Sequence, residues 1–180
     1  MSYRGRRFAC DPLEGVKEVE ALGLINGKLP SLFGVQVAGC APVVNAVKSG
    51  SDEIGPVKPD TAVGAIAIGD PPDGYYALRA IRESGGSGES ATDDEAMRMV
   101  QLLAEKEGII TGLTGGVALA AVWKLVKSKT IDDGRPVVVL LPDRGVAGAS
   151  VNDEVMKKKI IKVKADLKSF KEVWKKISLE

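Results

Sequence analysis

The segment that most constrains the fold is Pro136-Val-Val-Val-Leu-Leu-Pro-Asp143, an unbroken apolar run held between two prolines. A strand with one face in water alternates apolar and polar residues; a run without alternation suits a strand buried on both faces. Such a strand needs further strands beside it and helices above and below. The run therefore predicts the centre of a mostly parallel sheet in a three-layer α/β protein.

The remaining segments supply those layers. Leu13–Leu24 reads as a helix with Val16, Val19, Leu22 and Leu24 near one face, ended by Gly27 and Pro30. Ala41–Gly50 has proline at its start and glycine at its end, a helix signature. Asp73–Ser84 predicts a helix with Ala77, Leu78 and Ile81 inward, and Thr92-x-x-Glu95 is a capping box for a helix over 93–107 closed by Gly108. Gly112-Leu-Thr-Gly-Gly116 leads into an almost wholly apolar helix, VALAAVWKLV. Ser169-x-x-Glu172 caps a last amphipathic helix that turns Phe170, Val173, Trp174 and Ile177 inward. The expected strands are 31–39, the apolar run 62–69, the brief 109–111 and an edge strand over 159–167. Residues 84–90, SGGSGES, read as a loop, either a substrate lid or a mobile surface segment. The expected organisation is an irregular leader over 1–13 and one α/β domain over 14–180.

Composition narrows the chemistry. There is no histidine, which removes Ser-His-Asp and Cys-His catalysis and His-based metal sites. A net charge of +1 suggests neither a nucleic-acid nor a membrane partner. No apolar run approaches the ~18 residues of a membrane-spanning helix. Lys157–Lys159 with Lys162, Lys164 and Lys168 read as a solvated face, since few aromatics interleave them. Cys10 and Cys40 lack metal-like spacing and fit a reducing, cytosolic setting.

Ligands of such sheets bind at the carboxyl ends of strands. Three loops meet that rule: Ala38–Ala41, Gly69–Gly74 and Gly112–Gly116. In the third, Gly112 and Gly115 allow close backbone approach, and Thr114 brings a hydroxyl to a helix N-terminus with free N–H groups. Thr114 is equally a simple N-cap, with the glycines serving helix packing. Gly69 and Asp70 place a carboxylate beside a ligand or form only a turn. Asp143-Arg-Gly145 is a helix-capping turn or a ligand edge.

In order, LEGVKEVEALGLINGKLPSLFGVQVAGCAPVVNAVKSG, AIAIGDPPDGYYALRAIRESGGSGESATDDEAM and EGIITGLTGGVALAAVWKL resemble the C-terminal half of threonine synthases, over residues 14 to about 145. That family's usual Gly-Asn-Pro is Gly69-Asp70-Pro71 here. VVVLLPDRG is more similar to cysteine synthases, which keeps a cysteate or cysteine synthase-like sulfur transfer open. The resemblance implies the large domain of a fold-type II pyridoxal-phosphate (PLP) enzyme, incomplete, acting by elimination or replacement on a phosphorylated amino acid such as O-phosphohomoserine. It implies Thr114 as the hydroxyl facing the pyridine nitrogen, with Gly112, Gly115, Gly69 and Asp70 around the cofactor. The family's Schiff-base lysine lies in a Ser-Phe-Lys-Asp-Arg segment absent from this sequence, and RRFACDP stands where the Gly-rich phosphate loop is expected. The resemblance thus assigns no catalytic residue here and implies weak cofactor capture, an exposed apolar surface, and association with a missing N-terminal half or with itself. The alternative is a non-catalytic domain that binds a small ligand or partner.

Overall fold

The computed structural model describes residues 11–27, 29–132, 134, 136–145 and 163–177. They fall in two compact units, divided between Ala147 and Gly148. The first unit runs in the order α1 (Asp11–Ala21), β1 (Phe33–Val37), α2 (Pro42–Ser49), a 3-10 turn (Gly64–Ile66), α3 (Gly74–Glu83), β2 (Ser87–Ala91), α4 (Asp93–Glu107) and α5 (Leu113–Lys127). The described part of the second is one helix, α6 (Leu167–Ile177).

The sheet of the first unit is a parallel pair, β1 beside β2, with Phe33 opposite Ser87 and Val37 opposite Ala91. Successive side chains of a strand point to opposite faces, and the two faces here have different cover. On one, Gly34 lies against Ile81 of α3 and Gly88 against Val44 and Val47 of α2. On the other, Val37 and Ala91 join Ala96 of α4 and Val117 and Ala120 of α5 in one core cluster. The expected layering of helix, parallel sheet and helix is present on a two-stranded sheet. A second cluster, Val43, Ala46, Leu78 and Ile81, fills the seam between α2 and α3.

Several helix ends follow their sequence signals. Pro42 opens α2 and Gly50 closes it in the left-handed conformation at φ 73°. Thr92 and Glu95 form the reciprocal capping box of α4, and Gly108 closes it at φ 67°. The N-cap position of α2, Ala41, has no polar side chain; Gln36 of β1 reaches across and accepts the Val44 N–H at 2.9 Å. Ser84 performs a similar service for the sheet. Its hydroxyl accepts the Leu32 N–H at 2.9 Å and donates to the Ile81 carbonyl.

The structure corrects six expectations. Residues 84–90 are not a loop or a lid: from Ser87 they form β2. Large side chains are excluded there because Gly88 sits under α2, and a Cβ on Gly86 would run into the Leu32 carbonyl. The run 136–143 forms no strand; Val138 is 85% exposed and Leu140 58%. A parallel central strand requires ladder partners, and the sheet ends at two strands. Ile109 and Ile110 are likewise exposed and lie outside the sheet, and only Thr111 of that expected strand is buried. The apolar stretch 62–69 makes a 3-10 turn, which buries Val63 and leaves Ile68 at the surface. Helix α1 ends at Ala21, so Leu22 and Leu24, beyond it, are exposed, and Leu13 is the buried anchor.

The sixth correction concerns α6. It starts before Ser169, capped by Asp166, whose carboxylate accepts the Ser169 N–H and hydroxyl, each at 2.8 Å. Phe170 and Trp174 stack on one another and stand exposed rather than turned inward. The expected edge strand falls mostly outside the described residues, as does the leader up to Cys10; Val163–Asp166 is not strand. Among the described residues no helix is long and apolar enough to cross a membrane, and none cluster as metal ligands.

Candidate functional site

The carboxyl ends of β1 and β2 lead into α2 and α4, and the core cluster beneath them ties together the candidate loops. Val37 and Cys40 from the β1 end, Val63 and Ile66 from the 3-10 turn and Leu113 and Val117 from α5 pack together. The approach to the 3-10 turn is pinned to α4, where Asp93 accepts the Thr61 hydroxyl and the Ala62 N–H, both at 2.6 Å. The 61–66 segment and the first turns of α5 therefore meet at one end of the sheet.

The Gly112–Gly116 segment is not a loop ahead of the helix. Gly112 is the N-cap, and Leu113, Thr114 and Gly115 form the first turn of α5. Thr114 is thus not the capping residue; its half-buried side chain projects from the first turn. The first intrahelical bond runs from the Gly116 N–H to the Gly112 carbonyl, so the Leu113, Thr114 and Gly115 amides have no acceptor within α5. Asp143 takes the Gly112 N–H at 3.1 Å. The Asp143-Arg-Gly145 turn is therefore a cap for α5.

The glycines of this segment are held by the chain itself. A Cβ at Gly112 would meet the Asp143 carboxylate, and one at Gly115 would meet the Thr111 hydroxyl. Gly69 has the same character: its carbonyl accepts the Val57 N–H at 2.9 Å, and a Cβ there would strike the Val57 carbonyl. Asp70, next to it, is exposed. Gly39, in the first candidate loop, packs on the Asp60 backbone and accepts its N–H at 3.0 Å. The sides of these glycines that lack a side chain are filled by protein, and a ligand has only their opposite sides to approach.

One further residue at this end escaped sequence reasoning. Lys124 of α5 reaches back to the β2 terminus, donating to the Ser90 carbonyl at 3.0 Å and to Glu95 at 2.7 Å. The Lys124 hydrogen bond holds the Glu95 carboxyl below the ordinary carboxylate range, against the opposing pull of partial burial. Glu89 is drawn in the same direction: burial, the largest single influence, pushes its carboxyl up, but the hydrogen bonds from Lys48 and the Ser90 N–H together with the nearby ammonium charges outweigh it. Cys40 is fully buried, and loss of solvent raises its thiol pKa. The signal for Lys124 was a cation set among apolar residues of a helix, Trp123 before it and Leu125 and Val126 after it, where a charge demands a partner.

A site for PLP can be judged on this donor set. A hydroxyl and three amides that have no acceptor within the helix fit the polar edge of an aromatic ring. None of the three candidate loops contains a lysine that could hold the cofactor covalently. The residues fit one side of the cofactor.

The comparisons with known proteins bear on the same residues. A family model described as pyridoxal-phosphate dependent enzyme matches residues 14–143. The chain is 33% identical over 165 residues to the threonine synthase of Methanocaldococcus jannaschii, covering 91% of this chain and 40% of that one. It is 40% identical over 128 residues to the threonine synthase of Methanosarcina acetivorans, covering 71% of this chain and 31% of that one. Among solved structures, a threonine deaminase from T.th. aligns with a TM-score of 0.45 and 17% identity, over 68% of this chain and 43% of the other. The chain spans less than half the length of each of these relatives.

Proposed function

The chain belongs to the pyridoxal-phosphate dependent enzyme family, and on that premise we propose that it is the ring-facing portion of a threonine synthase-like enzyme. The observation that carries the reading is the similarity to threonine synthase across 91% of the chain, α5 and its first turn included. PLP, the cofactor of the family, supplies an electron sink for elimination and replacement at an amino-acid substrate when bound. The Thr114 hydroxyl would face the ring nitrogen and give it a neutral hydrogen-bonding partner. Gly112 and Gly115 would lie under the cofactor by their backbone, their side-chain positions being taken by Asp143 and Thr111, and Gly69 and Asp70 would complete its surroundings. The substrate is a phosphorylated amino acid, O-phosphohomoserine first among the candidates.

The chain alone is inactive on this reading, because its candidate loops hold no lysine for covalent attachment, which gives much of the cofactor's grip. It works with an N-terminal half that carries the lysine and the phosphate loop, or assembles with copies of itself. The buried, unpaired Cys40 thiol suits a reducing, cytosolic compartment.

The test is direct. Purified chain is incubated with PLP and O-phosphohomoserine, then dialysed, and threonine and phosphate are measured. We expect cofactor to be lost on dialysis and no turnover above buffer. Sustained turnover, or a cofactor absorbance band that survives dialysis, would refute the incomplete-site reading.

A further inference from the structure

The junction between residues 110–112 and 143–145 supports an inference that deepens the cofactor reading above and rests on it. Thr111 is 1% exposed, the buried polar side chain among the described residues. Its hydroxyl donates to the Asp143 carboxylate at 3.0 Å and lies 3.3 Å from the Asp143 carbonyl. The same carboxylate oxygen, Oδ1, accepts the Gly112 N–H at 3.1 Å. A third link runs from the Gly145 N–H to the Ile110 carbonyl at 3.2 Å. The fit leaves no slack: a Cβ on Gly145 would come 2.6 Å from the Thr111 carbonyl oxygen, and one on Gly112 would enter the Asp143 carboxylate.

Helix α5 cannot cap itself, because its N-cap is a glycine with no side chain to offer. Asp143 supplies that cap from a separate segment, and its negative charge meets the positive end of the helix dipole. We propose that Asp143 is a positioning residue. It fixes the Gly112 peptide and so sets the direction of the Leu113, Thr114 and Gly115 amides and of the Thr114 hydroxyl. With a carboxylate already seated there, this end of α5 favours a neutral ring edge and disfavours a phosphate group.

Amide NMR on the full chain tests this with Asp143→Ala and the near-isosteric Asp143→Asn. Asn keeps an oxygen acceptor where Oδ1 stood. Loss of a charged hydrogen bond should speed hydrogen exchange at Gly112 on the order of ten-fold or more in Asp143→Ala, with Asn restoring most of the protection. The Val100 amide in α4 should not change, which separates local positioning from general destabilisation. Titration with PLP should shift the Leu113–Gly115 amides in wild type and Asp143→Asn and fail to do so in Asp143→Ala. Inorganic phosphate at the same concentration should leave them unmoved. Unchanged Gly112 exchange in Asp143→Ala, equal acceleration at Val100, or PLP shifts that survive in Asp143→Ala would overturn the proposal, as would a phosphate-induced shift. A wild-type chain that shows the expected exchange pattern and no response to PLP would sink the cofactor reading while leaving Asp143 as the organiser of the turn.

Discussion

The glycines show most clearly that residue type here is dictated by what surrounds it. Gly116 lies inside α5, where glycine ordinarily costs ~1 kcal/mol relative to alanine. Its place is explained by α4: a Cβ would collide with the Ala96 carbonyl, and Val100 Cγ2 would stand 2.8 Å away. Gly15 is also helical, in α1, yet nothing approaches within 4 Å of its missing side chain. The same substitution should therefore have opposite signs at the two positions. Gly116→Ala should destabilise by about 1–3 kcal/mol through overpacking, and Gly15→Ala should stabilise by about 0.5–1 kcal/mol through helix propensity. Urea denaturation midpoints check both; a neutral Gly116→Ala would mean that α4 and α5 are not as close as described.

At the scale of elements, the α4 N-terminus is a junction of three parts. Glu95 closes the capping box on Thr92 and also receives Lys124 from α5, which in turn holds the end of β2. The ammonium keeps the Glu95 carboxyl depressed in the folded state. A carboxyl whose folded pKa is lower than its unfolded value, about 4.3, stabilises the fold above that value and loses its contribution as pH falls through the folded pKa. Glu95→Gln should therefore lower Tm near neutral pH, and the gap to wild type should close below about pH 4; a gap independent of pH would exclude the ionic contribution. The helices α2 and α4 were legible because their ends carry local signals in Pro42, Gly50, Thr92, Glu95 and Gly108, and α3 through its apolar face of Ala77, Leu78 and Ile81. The strands were less legible. Ser87–Ala91 has no apolar signature, since its partners are backbone and helix surface, and Val137–Leu141 has the signature but pairs with no strand among the described residues. Thr114, Gly112 and Gly115 stood out in the sequence as a glycine-rich turn before a helix, whereas they are the N-cap and first turn of that helix. Asp143-Arg-Gly145 could be read as a helix-capping turn, but not as the cap of α5, because nothing local joins positions so far apart.

For the first unit taken as a whole, the apolar residues without cover are its most conspicuous property. Ile109, Ile110, Val137, Val138 and Leu140 are all exposed, on segments joined through Gly145 and Ile110. Exposed apolar patches of this kind mark interaction surfaces or association. The chain should therefore associate more as its concentration rises, read by sedimentation velocity, and Val138→Glu should weaken that association without loss of stability, since Val138 is already in water. A wild-type chain that stays monomeric throughout would argue that the patch is covered within the molecule. The sheet also dictates an order of assembly. Helices α4 and α5 are near neighbours in sequence and can meet early, whereas β1 and β2 pair only after α2, the 3-10 turn and α3 have been looped out between them. Closing that loop costs entropy before any ladder bond repays it. The α4–α5 hairpin is thus the natural nucleus, and β1 completes the sheet late, on a template already bearing β2.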